Sequence, residues 1–138
     1  MKKLILLCAV IACTAISAHA QPGPVPQDTN ANKPVITFES ETIDFGTVNY
    51  DSDGNREFKF KNTGKSPLVI KDVIKSCGCT TPAPPPKDPI LPGQTGVIKF
   101  HYDTKRVGMF EKTITIVSNS TEPNKVVHFK GTVLPQKQ

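Results

Sequence analysis

The stretch REFKFKNTG, Arg56 to Gly64, decides how the chain is read. Phe58 and Phe60 fall on one side of an extended backbone, and Glu57, Lys59 and Lys61 fall on the other. Alternation with a period of two marks a strand with one face buried and one face in water. The run closes on Asn62-Thr63-Gly64-Lys65-Ser66-Pro67, residue types that favour a turn.

The same pattern recurs outward in both directions. Upstream lie Val35–Glu39 and Thr42–Val48, where Ile43 and Phe45 alternate with Thr42, Asp44 and Gly46. Asp51-Ser52-Asp53-Gly54-Asn55 is a turn cluster. Downstream, Leu68–Lys75 reads as a strand whose parity slips, since Ile74 shares the face of Leu68 and Ile70 only if Asp72 does too. A bulge near Lys71-Asp72 resolves the conflict. Gly96–Asp103 sets Ile98, Phe100 and Tyr102 inward and His101 outward. Phe110–Ser118 sets Ile114 and Ile116 inward, and Lys125–Val133 sets Val127, Phe129 and Val133 inward with His128 outward. No segment has a helical period. These seven runs predict an all-β fold, a seven-stranded antiparallel immunoglobulin-like β-sandwich over residues 34–134. The inter-sheet disulfide and buried tryptophan of antibody domains are absent, since the chain has no Trp.

The start of the chain reads as an export signal. MKK is a basic region, LILLCAVIACTAI an apolar one, and Ala18-His19-Ala20 supplies the small residues a signal peptidase reads. Cleavage after Ala20 predicts a secreted or periplasmic protein with no transmembrane segment in its mature form, because the apolar run falls short of the ~20 residues a span needs. The alternative is a lipoprotein anchored at Cys13, from the loose lipobox Val10-Ile11-Ala12-Cys13. Removing 20 of the 138 residues leaves 118, enough for one domain with its own core. It also takes Lys2 and Lys3, so the net charge falls from +5 to +3. That modest surplus, with Lys spread among Asp and Glu, describes a solvated surface and argues against nucleic-acid binding. The expected partner is a protein or a cell-envelope component. Residues 21–33, rich in Pro and Asn, read as a flexible tether, and residues 135–138 as a tail.

Several motifs together carry a resemblance. Phe45-Gly46-Thr47-Val48 leads to FKFKNTGKSPLVIKDVIKSCGCTTP, Phe58 to Pro82. Pro92-Gly93, Tyr102-Asp103-Thr104, Gly108-Met109-Phe110 and Lys130-Gly131-Thr132-Val133 follow. From about Val35 to Leu134 the chain resembles the bacterial secreted family catalogued as domain of unknown function 1573. That family is similar to the immunoglobulin-like domains of the abnormal-spindle and hydin group. The resemblance implies the fold and the export signal. It implies no activity and no cofactor.

Chemistry, if there is any, belongs to Cys77 and Cys79, the only cysteines beyond the leader. In an extended strand their Cα atoms would stand ~6.6 Å apart, near the upper limit for a disulfide, so a bridge needs a bend that Gly78 would permit. Closing so small a loop restricts the unfolded chain by only about 1.6 kcal/mol, a weak reason to staple a fold. A strained, exposed bridge is comparatively easy to reduce, and Lys75 could favour a thiolate at Cys77. Two thiolates also suit Cu(I) or half of a zinc site, for which His101, His128 and Met109 are the other candidate ligands. The plain alternative is a tight bend of small side chains. Met109 itself reads as loop or edge packing. The segment from Thr80 to Thr95 reads as a long loop, with Pro82, Pro84, Pro85 and Pro86 stiffening it into polyproline II. It is either a cover for a sheet edge or a recognition surface. The leading function is therefore an exported, non-enzymatic binding or structural module, and the alternative a periplasmic thiol-redox or Cu/Zn-binding protein. No nucleophile elbow, phosphate loop or paired-carboxylate spacing points to another enzyme.

Overall fold

The computed structural model describes residues 31–137, so the leader with its cleavage site, Cys13 and most of the tether lie outside the described residues. Eight strands follow one another: β1 (Ile36–Phe38), β2 (Thr42–Val48), β3 (Asn55–Asn62), β4 (Ile70–Lys75), β5 (Thr80–Pro82), β6 (Thr95–Tyr102), β7 (Gly108–Ser118) and β8 (Asn124–Val133). They form two four-stranded sheets, in the orders β1-β3-β6-β5 and β2-β8-β7-β4. No helix is present among the described residues. The immunoglobulin-like sandwich expected from the alternation is what these residues build.

The alternation places the core. Phe58, Phe60, Ile98, Phe100 and Tyr102 from one sheet meet Ile114, Ile116, Val127, Phe129 and Val133 from the other, and all are buried. Each such side chain contributes about 1.5–3 kcal/mol by leaving water. Phe45 is the hub of an aromatic cluster, with ring centroids 5.3 Å from Phe110, 6.0 Å from Phe129 and Tyr102, and 6.4 Å from Phe100. Tyr102 stacks on Phe110 at 4.0 Å. This burial pushes the Tyr102 phenol above its ordinary pKa of 10.0. Gly131 lets β2 and β7 close in on β8, because a Cβ there would stand 2.7 Å from the Phe45 Cβ and 2.8 Å from the Phe110 ring.

One detail departs from the sequence reading and another follows it. First, β2 pairs with β8 in parallel, whereas the other strand pairs are antiparallel. The link from β1 to β2 is only Glu39–Glu41, with the Glu39 N–H still donating to the Lys59 carbonyl of β3 and the Glu41 carbonyl already accepting from the His128 N–H of β8. The same heading therefore continues as the chain changes sheets. Second, the slip in β4 is a register shift between Ile70 and Asp72, as the parity demanded. It brings Val73 against the core and leaves Ile74 50% exposed, so the strand keeps Asp72 in water by giving up burial of Ile74.

The sheet edges offer little to an incoming strand. β1 has three residues. On β4 the outward-facing N–H of Val73 is taken by the Asp72 carboxylate at 2.8 Å. On β2 the N–H of Gly46 is taken by Asp44 at 2.7 Å. Such capped, short or irregular edges suppress pairing with another chain.

Candidate functional site

The chain descends β4 in one sheet, turns through Ser76-Cys77-Gly78-Cys79, and climbs β5 in the other. Ser76 still pairs with β7, its N–H donating to the Thr113 carbonyl at 3.2 Å. Three residues later the Cys79 carbonyl accepts from Asp103 N–H beyond β6, at 2.9 Å. The two cysteines are joined by a disulfide at this arch, with Cα atoms 5.4 Å apart, well inside the range whose upper limit the extended geometry approached. Gly78 is not the reason. Its φ is not positive, and a Cβ there would meet no atom within 4 Å. The bend comes from the change of sheet itself.

The two sulfurs sit in different surroundings. Cys79 is only 5% exposed and belongs to the core, whereas Cys77 is half-buried at its margin. The hydroxyl of Thr80, fully buried, lies 3.6 Å from the Cys77 sulfur and 3.9 Å from that of Cys79. An attacking thiolate would reach Cys77, and Cys79 would have to leave as a thiolate in apolar surroundings. Desolvation raises the pKa of such a group and makes it a poor leaving group. Lys75 is exposed, with its backbone in register with Ile114.

The proline segment is less of a loop than its composition suggests. Thr80–Pro82 pairs with β6, and the ladder is extended by Ala83 N–H donating to the Lys99 carbonyl at 2.9 Å. Cys79, Thr81 and Ala83 turn their peptide groups toward β6. Thr80, Pro82 and Pro84 turn theirs away, where a missing N–H costs no ladder bond. Pro85 and Pro86 are half-buried, and the segment returns to the body at Ile90, which exchanges two backbone bonds with Leu68. Asn62, buried at the end of β3, anchors that return. Its amide donates to the Ser66 carbonyl at 2.8 Å and to the Ile90 carbonyl at 2.9 Å, and its oxygen accepts from the N–H groups of Gly64 and Val35. Sequence reading placed Asn62 only at the start of a turn; an Asn-Thr-Gly following a strand was the available signal.

A depression of about 990 Å³ opens beside this segment, lined by residues of β3 and β6. Register sets its floor, with Glu57 opposite Lys99, Asn55 opposite His101, and Lys59 one step along. Thr81, Pro82, Ala83 and Pro84 also line it, with Ile43 of β2 and Arg56 of β3. The Arg56 guanidinium carbon sits 4.2 Å from the centroid of the Phe45 ring. Its Nη1 donates to the carbonyls of Asn55 at 2.7 Å and Asp53 at 3.3 Å. The backbone and side-chain amides of Asn55 hold the Asp53 carboxyl below its ordinary pKa. His101 Nδ1 lies 3.2 Å from the Asn55 amide oxygen.

The proposed metal ligands do not converge. His101 is exposed on β6, His128 is exposed on β8 of the other sheet, and Met109 is 89% exposed at the start of β7, without the packing expected of it. Among the described residues, no group of three or more His, Cys, Asp or Glu is placed to hold a metal ion. No helix among them is long and apolar enough to cross a membrane.

The two packed sheets make the fold an immunoglobulin-like β-sandwich. It superposes on PapD-like domain 7 of human CEP192 with a TM-score of 0.60 and 9% identity, over 92% of this chain and all of that one. A protein of unknown function from Porphyromonas gingivalis matches with a TM-score of 0.63 and 21% identity over 79% of this chain, which spans only 51% of that protein's length. The VesB protease of Vibrio cholerae matches with a TM-score of 0.55 and 8% identity, over 75% of this chain and 32% of the protease. The model of the family described as protein of unknown function DUF1573 matches residues 36–133, and the chain belongs to that family. No curated protein matches it.

Proposed function

We propose that this is an exported, non-enzymatic binding module that meets its partner through a strand face and the adjoining proline segment. One observation carries the reading: β3, β6 and the residues following the disulfide arch together line an open depression of about 990 Å³. The blunted edges support a partner bound on a face. The basic, apolar and small-residue order of the first 20 residues supports export. In this reading the Cys77–Cys79 bridge lies in the arch that precedes one wall of the depression, and the ladder to β6 holds that wall without it.

A thiol-redox role has one observation in its favour, the partial exposure of Cys77. The burial of Cys79 weighs against it. The test is insulin reduction and thiol exchange by the purified protein and its Cys77→Ser, Cys79→Ser double variant. Background rates from both, with partner capture from envelope extract unchanged in the variant, are expected. Turnover that disappears in the variant would replace the binding module with a redox protein.

A further inference from the structure

We infer that the depression beside β5 binds an extended, acidic polypeptide segment, with carboxylates of the segment on Arg56, Lys59 and Lys99. This rests on the binding-module reading and names its site and partner class. Three fixed cations line the depression against one carboxylate, Glu57. Glu57 does not neutralise them, since its contact to Lys59 is 4.0 Å long with both side chains well exposed, a geometry that contributes little.

The spacing suits a peptide. Glu57 stands opposite Lys99, so Lys59 and Lys99 are diagonal neighbours on one face, ~7–8 Å apart at the backbone. An extended chain repeats its side chains on one face every ~6.6 Å. Carboxylates two residues apart therefore reach both lysines. Arg56 adds a preorganised donor, held by Phe45 and two carbonyls through Nη1 alone. Among the described residues its Nε and Nη2 have no hydrogen-bond partner. They are free for the paired contact that guanidinium makes with a carboxylate.

The walls choose between polymers. Pro82, Pro84 and Ile43 offer rigid apolar surface for alternate side chains of a peptide, at small entropic cost. Phe100, the only Phe, Tyr or Trp of the lining, is 3% exposed and cannot stack on a nucleobase or a sugar ring, which leaves the single imidazole of His101 and no stacking platform. A polyanion without apolar side chains would gain the charge contacts alone.

The experiment titrates purified protein with a fluorescent short peptide alternating glutamate and valine, reading anisotropy at low salt and amide shifts by NMR. The comparisons are a glutamine–valine peptide and dextran sulfate. The expected result is binding at least about tenfold tighter than the glutamine peptide, equivalent to 1.4 kcal/mol. Amide shifts should concentrate at Asn55–Lys59, Thr81–Ala83 and Lys99–His101. A Lys59→Glu, Lys99→Glu variant, altered only at exposed positions and checked for unchanged melting, should lose that preference. Arg56→Gln should weaken it further. Equal binding of the glutamine peptide, full binding by the reversed variant, or shifts centred elsewhere would overturn the site. Tighter binding of dextran sulfate at the same amides would overturn the polypeptide assignment. None of these outcomes touches the binding-module reading, which falls only if thiol turnover appears or partner capture is absent.

Discussion

Asn62 donates an amide hydrogen to the Ile90 carbonyl at 2.9 Å, fastening the returning proline segment to the end of β3. The same side chain serves three other backbone groups, so it substitutes for a whole turn's worth of main-chain bonds. Asn62→Ala leaves the N–H groups of Val35 and Gly64 and the Ser66 carbonyl short of partners in a buried setting. The expected loss is about 2–4 kcal/mol, read as a lower urea midpoint with an unchanged slope.

The disulfide should matter far less. Its loop is too short to restrict the unfolded chain by more than about 1.6 kcal/mol. The Cys77→Ser, Cys79→Ser variant should lose no more than about 2 kcal/mol in urea unfolding, part of it from placing a hydroxyl at the buried Cys79 position. A collapse of the fold would show that the arch cannot form without the bridge.

Two glycines separate steric need from composition. Gly131→Ala forces a Cβ toward Phe45 and Phe110 and should cost about 1–3 kcal/mol. Gly78→Ala meets nothing and should stay within about 0.5 kcal/mol of the parent. Paired thermal melts compare them directly.

Stability should decline in alkali. Lys125 bonds Glu41 at 2.8 Å and Glu122 at 3.0 Å, and these contacts raise its pKa above the ordinary 10.5. Burial likewise raises that of Tyr102 above 10.0. Both groups hold their protons more tightly in the folded state. Their stabilisation is complete below the ordinary values and is lost as pH rises through the folded ones. Urea midpoints taken from pH 8 to pH 11 should fall at the upper end, and Lys125→Met with Tyr102→Phe should flatten that fall.

Much of this fold was legible because the alternation is regular. Phe58, Phe60, Ile98, Phe100, Ile114, Ile116, Val127 and Phe129 all point where a period of two places them. Even the β4 bulge announced itself, through an aspartate that could not share a face with Leu68 and Ile70. β5 did not, since three residues ending in proline give no period, and only the neighbouring β6 defines them as a strand. The depression was illegible for a related reason. Lys59 and Lys99 each read as an ordinary outward lysine, and their convergence depends on a register that couples residues 40 positions apart. Arg56 read as the first residue of a strand, because nothing local tells that Phe45 will lie beneath it.

The parallel pairing of β2 with β8 has a mechanical consequence. The chain comes in at Pro34, beside the turn that follows β7, and leaves at Leu134, beside Val48 and the end of β2. These points lie at opposite poles of the sandwich. A pull between them drags two neighbouring strands past each other lengthwise, so their hydrogen bonds share the load and cannot open one at a time. Force spectroscopy should find the domain stiffer along this axis than when β8 is peeled from one end. Such a domain is suited to stand in line as a tension-bearing link.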